Sequence, residues 1–254
     1  MDVFKLVALI PDTHRPFHHK KHYACMMNCL ADLKPSSIYL LGDYGDFYWM
    51  GQHGAKDPRV KSSFEEEVID INKGLDEFDD TFPDANKVYI EGNHEYRMER
   101  WLINRAPELF GVTSIKHIFE MDSRIATGWR WIDYRPDQAV SIEGSDLIAR
   151  HEPPASDPKK ALKEAMCSVV YGHIHRIEES CHRGLLGRQY VAFSCGWLGD
   201  HRKNEVFGYV KGHFKWQAGF ALVWVNTRTG EFHHQIVQIM ENSTCVVNGK
   251  LYRG

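Results

Sequence analysis

Imidazole, carboxylate and amide side chains recur in this sequence just past the ends of short apolar runs. Asp12-Thr13-His14 follows Val3–Ile10, Gly42-Asp43-Tyr44-Gly45-Asp46 follows Ser37–Leu41, and Gly92-Asn93-His94-Glu95 follows Lys87–Ile90. His151 comes directly after Asp146–Arg150, and Gly172-His173-Ile174-His175 after Val169–Tyr171. One such cluster reads as a polar turn, but five in one chain are hard to explain that way. Their donor atoms suit Mn²⁺, Fe, Zn²⁺ or Ni²⁺ better than the all-oxygen sites of Ca²⁺. In an extended segment alternate side chains point the same way, so His173 and His175 are expected to reach one site together. Gly172 before them lets the backbone approach closely.

The elements that must carry these residues can be read from periodicity. Each apolar run has strand length, and amphipathic stretches separate the first three. Tyr23, Met27 and Leu30 predict a helix over Lys20–Leu33. Asp57-Pro58 looks like a helix start, followed by the stripe Phe64, Val68, Ile71, Leu75 and Phe78, with Glu65, Glu66 and Glu67 on the solvated side. Met98, Trp101, Leu102 and Arg105 predict a helix from Glu95 that stops near Pro107. Residues 115 to 150 read as short, mainly antiparallel strands, clearest at Trp129–Ile132. A short helix is expected over Pro158–Met166, then strands over Gln189–Ser194, Gly219–Asn226 and Glu231–Ile239. Such an α/β alternation places ligands at the C-terminal ends of strands. His18, His19 and His22 have no acidic partner nearby in sequence and are expected on the surface. The aromatic loop Phe47–Asp57 is either a substrate-facing flap or a cover for the core.

The bulk composition narrows the class. A chain of 254 residues with 43% hydrophobic content fits one domain with a sizeable core. A net charge of -3 argues against coating duplex nucleic acid by charge alone. The six cysteines form no CxxC pair and no disulfide framework, which suggests reduced thiols and a cytoplasmic setting. No apolar run approaches the ~18 residues of a spanning helix, so no membrane partner is expected.

In order and type, the clusters resemble the signature of the calcineurin-like metallophosphoesterase superfamily. That signature runs D-x-H, G-D-x-x-D, G-N-H-[DE], an isolated H, then G-H-x-H, and the match covers residues 3 to 176. The continuation from Gly92 to Trp101 looks like compact phage- and prophage-associated members. The resemblance implies a four-layer αββα sandwich with a dinuclear metal site. By motif position, Asp12, His14 and His175 would hold one metal and Asn93, His151 and His173 the other, with Asp43 bridging. His94 would act on the phosphate, oriented and charged by Asp46. Two positions depart from the wider pattern. Phe47 stands where protein phosphatases carry arginine, and Glu152 where glycine usually follows the isolated histidine.

The expected function is therefore phosphodiester hydrolysis by a hydroxide generated on two divalent transition-metal ions, most readily Mn²⁺, with a nucleotide or nucleic acid as substrate. The alternatives are a small-molecule or cyclic-nucleotide phosphatase and a non-catalytic metal-binding scaffold. Arg97 and Arg100 are positioned to reach a phosphate or to pair with helix glutamates. Basic and aromatic residues interleave over Asp200–Gln217, including Lys211 and Trp216, which suits single-stranded nucleic acid. A solvated hairpin or loop explains that stretch equally simply. Trp197 and Trp216 are expected as exposed aromatics that leave a partner surface open.

Overall fold

The computed structural model describes residues 4–51, 59–185, 187–207, 212 and 215–254. Four parallel strands, β1 (Phe4–Ile10), β2 (Ser37–Leu40), β3 (Asn86–Ile90) and β4 (Trp129–Ile132), lie side by side. The second sheet contains β5 (Val140–Ser141), β6 (Leu147–Arg150), β7 (Ser168–Tyr171), β8 (Ile177–Arg183) and β9 (Gln189–Cys195), in the order β5-β6-β7-β9-β8. Two antiparallel strands, β10 (Gly219–Asn226) and β11 (Phe232–Gln238), complete the first sheet beside β1. A terminal hairpin, β12 (Thr244–Val247) with β13 (Lys250–Arg253), stands apart from both sheets.

The period-2 pattern of β1 explains how the layers stack. Val7 and Leu9 point one way and join Tyr39, Val88, Ile90, Ala149, Val170 and Phe193 between the two sheets. Ala8 and Ile10 point the other way, under the helices α1 (Lys20–Leu33), α2 (Phe64–Thr81) and α3 (Tyr96–Arg105). On the outer face of the second sheet, α6 (Pro158–Ala165) sets Ala161 and Leu162 against Val169, Tyr171 and Ala192. The fold is mixed α/β. Among the described residues, no helix is long and apolar enough to cross a membrane.

Several expectations need correction. Residues 115–126 form two short helices, α4 (Ile115–Ile118) and α5 (Met121–Ala126), and β4 and β6 run parallel to their inner neighbours. Asp57 and Pro58 lie outside the described residues, and α2 begins at Phe64. Ser63 and Glu66 there form a reciprocal capping box that satisfies two free backbone donors. Glu67 is buried rather than solvated: it turns inward to accept the Phe47 backbone N–H. His18, His19 and His22 are also buried, and burial lowers the pKa of His22 to about 4. His19 caps α1 by accepting the His22 N–H at 3.2 Å, so these imidazoles act as structural groups. The described part of the stretch after Asp200 carries one helical turn, α7 (Asn204–Phe207), and residues 208–211, 213 and 214 lie outside the described residues.

Candidate metal centre

Five loops meet at one edge, three from the C-terminal ends of β1, β2 and β3 and two from β6 and β7. The first two are sewn together through main chain. The N–H groups of Thr13 and His14 both donate to the Asp43 carbonyl at 3.0 and 2.9 Å, and Asp46 N–H donates to the Arg15 carbonyl at 2.9 Å. His14, Asp43, His173 and His175 all have left-handed backbone, with φ between 50° and 69°. Such strain in non-glycine residues persists only where the surroundings over-determine it, and it gathers at functional sites.

The same backbone overturns the expectation that His173 and His175 act as an extended pair. They sit on a loop past β7, and their side chains part company. His173 Nδ1 lies 2.8 Å from Asn93 Oδ1, whereas His175 Nε2 lies 3.1 Å from His14 Nε2 and 3.4 Å from Asp12 Oδ1. Two ligand groups result. Asp12, His14 and His175 form one, and Asp43, His151 and His173 form the other. Asn93 belongs with the second, because its Oδ1 is also 2.9 Å from His151 Nε2. A third grouping of His14, Asp43 and His94 links the two. Every predicted ligand is thus in the cluster.

Glycine makes the crowding possible. A Cβ on Gly92 would collide with the Asp43 backbone nitrogen and carboxylate. At Gly42, with φ +94°, it would lie 2.5 Å from His151 Nδ1.

Outer partners fix the imidazoles. His14 Nδ1 faces Asp46 Oδ1 at 2.7 Å, and His151 Nδ1 donates to the Leu41 carbonyl at 2.8 Å. Both rings therefore aim Nε2 inward, the usual way a neighbouring acceptor orients a metal-binding histidine. His151 Nε2 then meets only acceptors, Asn93 Oδ1 and Asp43 Oδ1, the latter at 3.3 Å. So many lone pairs can converge only around positive charge. Protons on the imidazoles or divalent cations would supply it, and the mixed nitrogen and oxygen donor set fits transition-metal ions. The charges of the site reflect the same demand. Burial opposes ionisation of Asp43 and Asp12, yet the surrounding histidines hold both carboxyls below their ordinary value. Burial opposes charge on His151 too, but Asp43 and Asp12 push its imidazole up to about 10. Burial wins at His175, lowering it to about 4.

Asp46 holds His94 more through its main chain than through its carboxylate. Its carboxylate takes His14 at 2.7 Å and stands 3.3 Å from His94 Nδ1, which instead donates to the Asp46 carbonyl at 2.7 Å. His94 Nε2 faces Arg97, whose NH2 lies 2.7 Å away, while Arg97 NH1 donates to the Asp46 carbonyl at 2.9 Å. Burial, reinforced by Arg97, lowers the His94 pKa despite the opposing charges of Asp43 and Asp46, which favours the neutral ring.

Of the other predicted substrate contacts, Lys211 lies outside the described residues. Trp216 packs edge-on to His175 with ring centres 4.5 Å apart and contacts Trp197 at 4.5 Å. Trp197 is 2% exposed and stacks on His175 at 4.8 Å, so it forms a wall of the site instead of a partner surface. Phe47 is fully buried, which makes the start of the aromatic loop a core cover, and residues 52–57 of that loop lie outside the described residues.

Sequence reasoning missed Glu95. Its buried carboxylate accepts the N–H groups of Asp43 (3.0 Å), Gly45 (2.9 Å) and Gly92 (2.9 Å) and the Tyr89 hydroxyl (2.8 Å). It clamps the second and third loops together. The available signal was an acidic residue directly after Asn93-His94.

No protein-family model matches the chain. It is similar to the Gene 54 protein of Mycobacterium phage D29, at 25% identity over 249 residues, covering 87% of this chain and 89% of that protein. The Gene 54 protein of Mycobacterium phage L5 is also 25% identical, over 243 residues with the same coverage. Neither name states an activity.

Proposed function

We propose that this protein is a dinuclear metal-dependent phosphodiesterase of the calcineurin-like metallophosphoesterase type. One observation carries the reading. Two adjacent ligand groups, Asp12/His14/His175 and Asp43/His151/His173, are brought together from four strand ends, with Asp43 beside both. The succession of helices, sheet, sheet and helix supports the αββα layering expected of that superfamily. Asn93 completes the second group, and Asp43 is the shared ligand. Two divalent ions held there would clamp a phosphate electrostatically and make hydroxide available at neutral pH.

The chain's own residues then have distinct tasks. Asp46 holds the His14 ring in register. Arg97, anchored on the Asp46 carbonyl, supplies fixed positive charge where a phosphate oxygen gains charge. His94 keeps a lone pair on Nε2 and holds Arg97 in place. To protonate a leaving oxygen it must first take up a proton.

The test is hydrolysis of bis-p-nitrophenyl phosphate against p-nitrophenyl phosphate, with Mn²⁺ or with chelator. The expected outcome is metal-dependent cleavage of the diester, abolished in Asp43→Asn and His173→Ala along with metal binding. His94→Ala should lose activity while still binding metal, and full activity in that variant would refute its role. A preference for the monoester would shift the reading to a phosphatase. No turnover of either ester by metal-loaded protein would overturn the phosphodiesterase reading.

A further inference from the structure

A surface groove runs along α3, the helix whose first turn sets Arg97 beside the centre. Arg97, Arg100, Trp101, Asn104 and Arg105 fall at positions i, i+3, i+4, i+7 and i+8 of α3, a single helical stripe. The buried residues Met98 and Leu102 lie off the stripe, along its Arg105 flank. At the top of the stripe, Arg97 touches Asp46 and His94. Beyond it, Arg100, Trp101, Asn104 and Arg105 face Trp49 and its neighbours across a cavity of about 600 Å³. Trp49 sits in the 3-10 turn Tyr48–Met50, three residues after Asp46. Both wall segments therefore follow in sequence from residues at the candidate metal centre.

The arginines are not tied up in helix salt bridges. Neither Arg100 nor Arg105 has a carboxylate partner among the described residues, and Arg100 Nε is buried without a hydrogen-bond partner. From Arg97 to Arg105 the stripe rises about 12 Å, at ~1.5 Å per residue, which exceeds the reach of one phosphate. Guanidinium groups in line with the exposed ring of Trp101 combine the two recognition elements for single strands, charge for the backbone and flat aromatic surface for a base.

We propose that this groove binds a single-stranded nucleic acid beside the scissile phosphate. Arg100 and Arg105 take backbone phosphates and Trp101 stacks on a base. The inference names the substrate class of the phosphodiesterase reading and rests on it for the chemistry at the head of the groove.

The experiment is fluorescence anisotropy with a labelled oligothymidylate in chelator, so that no hydrolysis competes. The unaltered protein should bind, and log affinity should fall linearly with log salt. Arg100→Ala with Arg105→Ala should weaken binding and reduce that slope by about 1.4, at ~0.7 per phosphate contact on a single strand. Arg105→Ala alone, at an exposed position that leaves the core untouched, should reduce it by about 0.7. Trp101→Ala should weaken binding by roughly 5- to 150-fold. Three results would overturn the proposal: no binding by the unaltered protein, unchanged affinity and slope in both arginine variants, or displacement of the probe by thymidine monophosphate as effectively as by unlabelled strand. Diester hydrolysis by the unaltered protein is scored separately. If it is absent while groove binding persists, the phosphodiesterase reading fails alone. If hydrolysis is present without groove binding, only this inference fails.

Discussion

Glu95 offers the sharpest test of how the centre is held. Burial and the nearby Asp43 charge push its carboxyl up, while three backbone N–H groups and the Tyr89 hydroxyl donate to it and favour the carboxylate. Of these four neighbours only the Tyr89 hydroxyl could turn to accept a carboxyl proton. Glu95→Gln replaces one oxygen by NH₂. The less costly orientation sets that NH₂ against Tyr89, whose hydroxyl can turn to accept, and leaves Gly45 N–H unpaired. One buried unpaired donor costs about 1–3 kcal/mol. Glu95→Ala strands all four donors, for an upper bound of about 4–12 kcal/mol that entering water reduces. Against a typical domain stability of about 5–15 kcal/mol, the alanine variant should be close to unfolding and the glutamine variant merely weakened. Urea denaturation followed by tryptophan fluorescence measures this. Calorimetric Mn²⁺ titration of the glutamine variant should show affinity reduced about 10- to 100-fold, as for other residues that orient ligands. An alanine variant within about 1 kcal/mol of the parent, with unchanged metal affinity, would refute the clamp.

Three further outcomes are expected. Gly92→Ala forces a methyl into Asp43 and should cost about 1–3 kcal/mol in urea denaturation, with weaker Mn²⁺ binding; a neutral result would mean the loop moves freely. Burial raises the Glu67 carboxyl well above its ordinary 4.5, so the folded state keeps a proton that the unfolded state releases. Stability should then decline as pH rises above about 4.5 until the folded carboxyl also ionises. Glu67→Gln keeps an acceptor for Phe47 N–H and should flatten that decline, and parallel pH–stability curves would contradict the assignment. Finally, Mn²⁺ at 100-fold over its dissociation constant should stabilise chelator-stripped protein by about 2.7 kcal/mol. That corresponds to roughly 5–11 °C in a thermal melt. The increment should vanish in Asp43→Asn, and its absence from the parent would dismiss the cluster as a metal site.

The sequence was most informative where a local pattern carries its own geometry. The apolar run Val3–Ile10 and the stripe of Lys20–Leu33 correctly located a strand and a helix, because a strand covered on both faces is apolar throughout and a helix covered on one face repeats its apolar residues every 3.6. The candidate ligands were legible because glycine and polar residues past a strand end have few structural reasons to recur. What could not be read depended on distant partners. His22 looks like a surface residue until the fold packs over it, and Glu67 belongs to an acidic run of which only one member turns inward. Residues 115–126 are too short and too weakly patterned for local preference to decide. The basic-aromatic signal near Lys211 drew attention to one segment, whereas the stripe on α3 is visible only once the Trp49 turn stands opposite it.

The way the centre is assembled also bears on biosynthesis. β1 is a central strand, flanked by β2 on one side and on the other by β10, where Phe4 pairs with Asn226. Asp12 holds the backbone of His173, 161 positions later. At a translation rate of about 5–20 residues per second, roughly 8–32 s separate the synthesis of these two residues. During that interval the emerging chain carries Asp12, His14 and Asp43 without the imidazoles that face them. Loop-closure entropy further delays such remote contacts. In the proposed metal site, high affinity would therefore arise only when the second sheet docks on the first, so that ion capture would report completion of the fold rather than template it.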